Sequence, residues 1–213
     1  KLEAFDDYWN KDARPKIKTL TLKIIPEDLT RVAAFKQGTV DWVDNIPLSE
    51  VENIKKMPGV KTFTAASPNN LYIDFPSYQP NSPFHKLEVR QAVAHAVDVD
   101  AIIKSVLFGQ GKRYVEVAEG STGYDPNLKP YPYDVKKAKE LLTKAGYPRG
   151  FDTPCYNLTT PREPNVKEMG EAVFAYLGQV GIRCKVQGLE YGAWINLGRR
   201  GRTGPPEMDG VLM

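Results

Sequence analysis

Arg162 is the residue of this chain best placed to do chemistry. It lies in Thr159-Thr160-Pro161-Arg162-Glu163-Pro164, directly after a run that reads as a parallel strand and just before a helix N-terminus. α/β folds put ligands outside the carboxyl ends of such strands. A guanidinium beside free helix N–H groups favours a carboxylate or another anion. A surface arginine paired with Glu163 would have the same spacing, so both readings stay open.

Other candidates carry less. Cys155, Cys184, His85 and His95 are the cysteines and histidines of the chain, and they lack CxxC or HxxxH spacing, so no metal site is expected. Gly109-Gln110-Gly111-Lys112 departs from a phosphate loop, with Val106 and Arg113 where the motif needs Gly and Ser/Thr. Asp98 and Asp100 begin like a calcium loop, but no Gly or Glu follows at the required positions, and a helix cap explains them better. Glu168 and Glu171 fit a solvated helix face better than an acid/base pair. Arg199-Arg200-Gly201-Arg202 could touch phosphate but reads as a solvated loop. His95 sits beside an apolar stripe, and no nucleophile pattern accompanies either histidine. No catalytic residue, no cofactor and no enzyme activity is expected.

The elements that must position these residues follow from pattern. Lys16 to Ile25 alternates like a strand, Glu27 to Gln37 has helical spacing before Gly38, and Val40 to Val43 reads as a second strand, together a βαβ unit. Ser49 to Met57 reads as a short helix, and Val60 to Ala65 and Asn70 to Phe75 as strands. Three prolines between Pro76 and Pro83 mark a boundary or crossing. Val89, Ala92, Val93 and Ala96, then Ile102, Ile103 and Val106, predict consecutive helices with Asp98 or Asp100 as the cap. After a long Gly/Pro/Tyr-rich loop, Asp134 caps a helix that Gly146 stops. The clearest unit is strand Phe151 to Leu158, a helix with Val166, Met169, Val173, Phe174 and Leu177 inward, and strand Ile182 to Gln187. A helix from Tyr191 to about Arg199 and an apolar strand beginning at Val211 close the chain. Cys155 and Cys184 fall on neighbouring parallel strands, where disulfide geometry is uncommon, so free buried thiols are expected.

Composition narrows the partner class. Lys and Arg number 29 against 26 Asp and Glu, a net charge of +3, too balanced to mark nucleic acid as the partner. The longest apolar run, Ala172 to Leu177, is far shorter than the roughly 20 residues needed to span a bilayer.

Several blocks taken together resemble one family. Leu87 to Ile103, which includes Val89-Arg90-Gln91-Ala92-Val93-Ala94-His95-Ala96-Val97-Asp98, is similar to the "VRQALSYAIDRDAII" segment of the family 5 extracellular solute-binding proteins. Asp7-Tyr8-Trp9 resembles their "NPDYW" entry, and Ile25 to Asp41 resembles "IPDDATRVAALQSGEVD". Gly123 to Pro126, Tyr133 to Leu142, Ala145-Gly146-Tyr147 and Gly181 to Trp194 match further landmarks in the same order.

The resemblance implies a fold class: α/β, a fragment of a two-lobed periplasmic-binding-protein (type II-like) fold with βαβ units. Residues 1–75 would be part of the first lobe, and 76–213 most of the second. It also implies a receptor for a peptide or another small solute that serves ABC transporter permease subunits, at a periplasmic or cell-surface address. Arg162 is similar to the arginine that meets the ligand carboxylate in dipeptide receptors, and Thr160 stands in the same aligned stretch. Tyr72 matches an aromatic strand near the hinge whose side chains can line the cleft; as a residue it also reads as an ordinary core tyrosine. A sensing domain that kept the fold without transport is the alternative, with an enzyme less favoured.

Overall fold

The computed structural model describes residues 1–64, 71–115, 117–159, 164–203 and 210–212. The chain divides into two compact units, Lys1–Val51 and Glu52–Met213.

In the first unit, β1 (Leu2–Glu3) pairs antiparallel with β2 (Thr19–Leu20), Leu2 opposite Leu20. Helix α1 (Asp28–Lys36) follows Pro26, as its spacing predicts. Its Arg31 guanidinium donates to five oxygens, the carbonyls of Ile25, Pro26, Asp44 and Asn45 and the Asp28 carboxylate. It thereby ties both ends of the surrounding chain to one helix. Val32 is the one buried residue of this unit.

The βαβ unit expected across residues 16–43 is not formed. Of the long alternating run only Thr19 and Leu20 are strand, their partner is the antiparallel β1, and residues 40–43 pair with nothing in a ladder. Alternation records which side chains could face a core; a strand also needs a neighbour to accept its backbone hydrogen bonds. The same correction applies to residues 60–64 and 71–75, where Asp74 makes an isolated bridge and the rest is irregular. Residues 65 and 70 of those two runs lie outside the described residues.

Helix α2 (Val51–Lys55) starts on the last residue of the first unit and continues into the second. The proline-rich segment then delivers Phe84, fully buried, between Phe75, stacked at 5.1 Å, and Phe151, edge-on at 5.6 Å. Helix α3 (Leu87–Ala96) buries Val89, Ala92, Val93 and Ala96, and α4 (Val99–Ser105) starts where the Asp98 carboxylate accepts from the Ala101 N–H at 2.9 Å. Asp134 caps α5 (Val135–Lys144) in the same way, through the Lys137 N–H. Helices α3 and α5 pack together, and Lys86 reaches across to the Ala145 carbonyl at 2.7 Å while lying over the Tyr147 ring.

Next come β3 (Phe151–Leu158), α6 (Val166–Gln179), β4 (Ile182–Leu189), α7 (Tyr191–Thr203) and β5 (Val211–Leu212). The sheet order is β4-β3-β5, parallel throughout, with Phe151 opposite Ile182 and Cys155 opposite Val211. The predicted βαβ unit is therefore present, with Met169, Val173, Phe174 and Leu177 of α6 buried in its core. Gly150 is obligatory at its start: a Cβ there would lie 1.8 Å from the Gly181 carbonyl oxygen, which accepts the Phe151 N–H.

The expectation of free thiols is overturned, because Cys155 and Cys184 form a disulfide. Cys155 stands opposite Val186 and Cys184 opposite Thr153, so the bonded pair is offset by two residues along adjacent strands. Their Cα atoms lie 5.3 Å apart, within the range a disulfide spans.

Candidate functional site

The carboxyl ends of β3 and β4 carry the region that the sequence marks as a binding edge, and both ends of the connecting loop are fixed there. At one end, the Thr159 N–H donates to the Leu189 carbonyl at 2.9 Å. Its hydroxyl lies 3.0 Å from the same carbonyl and 3.3 Å from a carboxylate oxygen of Glu190. At the other end, Asn165 takes a left-handed conformation (φ 57°) and donates its side-chain amide to the Val106 carbonyl at 2.7 Å. Asn165 therefore anchors the loop to the end of α4 and makes no side-chain cap on α6.

Asn157 completes the frame from beneath. It is 3% exposed, and its amide nitrogen donates to the Lys167 carbonyl in the first turn of α6 at 2.9 Å. Its Oδ1 has no hydrogen-bond partner among the described residues and is turned toward Gly170, where a Cβ would lie 2.1 Å from it. The start of the helix can approach the end of the strand only because residue 170 has no side chain.

Arg162 and Thr160 lie outside the described residues. Tyr72 is 65% exposed and lies in an irregular segment. Sequence reasoning did not single out Asn157, Glu190, or the Tyr191 and Trp194 rings, which stack at 6.3 Å with planes 15° apart on the first turn of α7. The one available signal was their place, at or just beyond the end of a predicted parallel strand.

The remaining candidates take structural roles. His95 holds the Pro132 carbonyl at 2.8 Å and meets Tyr131 edge-on, while its own carbonyl accepts the Asp134 N–H. Asp98 is a helix cap, Lys112 pairs with Glu119, and Glu171 pairs with Lys167 at 3.8 Å. The side chains of Arg199, Arg200 and Arg202 lie outside what is described. Tyr176, facing Tyr133, has its hydroxyl pKa raised by burial first and by the Asp98 charge second. Among the described residues no three His, Cys, Asp or Glu side chains gather as a metal site, and no helix is long and apolar enough to cross a membrane. A shallow cavity of about 350 Å³ opens beside Tyr147, Arg149 and Val180, at the amino end of the βαβ unit, away from the strand carboxyl ends.

Parallel strands, a framed loop at their carboxyl ends and helices packed alongside define a fragment of the periplasmic-binding-protein fold. Solved structures agree: "HbpA2 from Haemophilus parasuis" matches with a TM-score of 0.74 and 30% identity, over 95% of this chain and 40% of that one. The periplasmic binding protein DppA of Helicobacter pylori, in complex with the peptide STSA, matches at 0.71 and 30%, over 99% of this chain and 40% of that one.

The family model for bacterial extracellular solute-binding proteins, family 5 Middle, matches residues 1–204, and the chain belongs to that family. Curated relatives include heme-binding protein A of Haemophilus influenzae, 31% identical over 94% of this chain, and the dipeptide-binding protein of Escherichia coli, 30% identical over 93%. The chain spans 36% and 37% of their respective lengths. A glutathione-binding protein of Pectobacterium atrosepticum is 31% identical over 90% of this chain and is covered over 36% of its own length.

Proposed function

We propose that this chain is part of a solute receptor of an ABC importer, outside the cytoplasm, that binds a short peptide in an interlobe cleft and delivers it to permease subunits. Residues 1–75 would contribute to one lobe and 76–213 to the other. The observation that carries the reading is the match to one solute-binding family over residues 1–204. Peptides are favoured over other solutes because relatives named for dipeptide and for glutathione, itself a tripeptide, stand beside the heme-binding one.

In this reading Arg162 anchors the acid group of the ligand, Thr160 adds a hydroxyl and the exposed Tyr72 ring lines the cleft. The frame made by Thr159, Asn157 and Asn165 would present the loop between residues 159 and 165 at the strand ends, so that little ordering is left for the ligand to induce. Closing the lobes would then bury the ligand against backbone groups and ordered water. Native mass spectrometry of the full-length protein purified without added ligand tests this. The expected spectrum shows peptide-mass adducts that denaturation releases; a heme adduct, or an adduct-free protein that dipeptides do not shift, would contradict it.

A further inference from the structure

The cavity of about 350 Å³ at the amino end of the βαβ unit has an apolar floor, where Leu142 and Val180 are buried and Tyr147 is half-buried. Its walls are tied together. The Arg183 guanidinium donates to the Arg149 carbonyl at 3.1 Å and to the Gly181 carbonyl at 3.3 Å, which joins the turn before β3 to the turn after α6. On the other side the Tyr147 N–H donates to the Leu142 carbonyl at 2.8 Å, and its ring packs against Phe151 at 5.0 Å.

Charge on the rim has one sign. Lys139 of α5 and Arg149 both line the cavity and are exposed, and neither has an ion-pair partner among the described residues. No aspartate or glutamate is among the described lining residues. Glu140 follows Lys139 in the chain without lining the cavity, and the Asp152 carboxylate is engaged by Arg183 and Lys185. Gln179 adds a side-chain amide to the lining.

Two cations above an apolar floor suit a small organic anion. An oxyanion meets the guanidinium and the ammonium, while the body of the ligand removes the floor from water. A guanidinium pairs with carboxylate and phosphate alike. A cationic ligand would be repelled from both sides, and the volume is at the small end of the range for ligand pockets.

We propose that this cavity is a second ligand site, apart from the strand carboxyl ends, that takes a carboxylate or phosphate carried on a small apolar body. It goes beyond the peptide reading and stands independently of it.

The test is calorimetry on the full-length protein with phenyl phosphate, benzoate and neutral benzyl alcohol. At least one of the two anions is expected to bind, and which one does so separates phosphate from carboxylate; benzyl alcohol should bind more weakly than either anion that binds. Lys139→Gln and Arg149→Gln, both at exposed positions, should keep the unfolding midpoint and each weaken the anion about fivefold, the scale of an exposed ion pair. Added Ala-Ala should leave the anion affinity unchanged. Absence of binding by both anions overturns the site, as does benzyl alcohol binding equally well. Anion binding that both variants leave intact, or that Ala-Ala displaces, also overturns it. Each of these failures leaves the peptide reading standing, because that reading is tested by the mass spectrum.

Discussion

In residues 1–51 a single side chain, Val32, is buried, whereas residues 52–213 bury a continuous cluster that runs from Phe84 through Leu142 and Leu177 to Val211. The first unit is held by polar ties: Arg31 to five oxygens, Lys36 to Glu50 at 2.7 Å and Lys23 to the Thr39 carbonyl at 3.1 Å. Each such bond contributes about 1 kcal/mol net, and exposed ion pairs less. The same unit exposes Ile24 at 93%, Trp9 at 81% and Trp42 at 73%. Hydrogen bonds can fix a local shape there, but the driving force for folding, removal of apolar surface from water, lies in the second unit.

Substitutions should separate the two units. The largest effect is expected from Phe84→Ala, which empties the space between Phe75 and Phe151 and should cost about 3–5 kcal/mol in urea unfolding. A loss under about 1 kcal/mol would mean that the core does not depend on that ring. Reducing Cys155–Cys184, separated by 29 residues, should cost about 3–4 kcal/mol by the loop-entropy relation. An unfolding midpoint unmoved by reductant would show that the bond adds nothing the sheet does not already supply.

Gly170→Ala should cost about 1–3 kcal/mol, because the new Cβ forces Asn157 away from the first turn of α6. Its diagnostic feature is rescue: in an Asn157→Ala background the same substitution should be almost neutral, and full additivity would refute the contact. The smallest effect is expected from Val32→Ala, about 1 kcal/mol or less by urea unfolding. Although Val32 is buried, its unit has no second buried side chain to frame a lasting cavity. A loss as large as that of Phe84→Ala would erase the contrast between the units.

What the sequence disclosed follows the same division. Helices of the second unit were legible because their signals are local: Asp98 and Asp134 at N-caps, Gly146 and Gly181 at stops, and apolar residues three and four apart. The βαβ unit was legible because its strands are one helix apart and find each other. The strand expected at residues 16–25 failed because pairing is non-local, and alternation in one segment does not report whether a partner is present. The disulfide was misread because a general rule for neighbouring parallel strands does not fix the separation of one particular pair, here 5.3 Å between Cα atoms.

In the sequence, Arg162 stood out because a guanidinium expected beside a helix start has an evident partner chemistry. Asn157 did not, since a buried amide that closes a strand onto a helix has no spacing signature.

The central claim is that the loop leaving β3 holds the acid group of a transported solute. Isothermal titration of Ala-Ala into the full-length protein and its Arg162→Ala variant tests it most directly. The variant should bind about 10- to 100-fold more weakly, the scale of a lost hydrogen bond to a charged group. An unchanged Kd, with the variant folded to the same unfolding midpoint, would contradict the account.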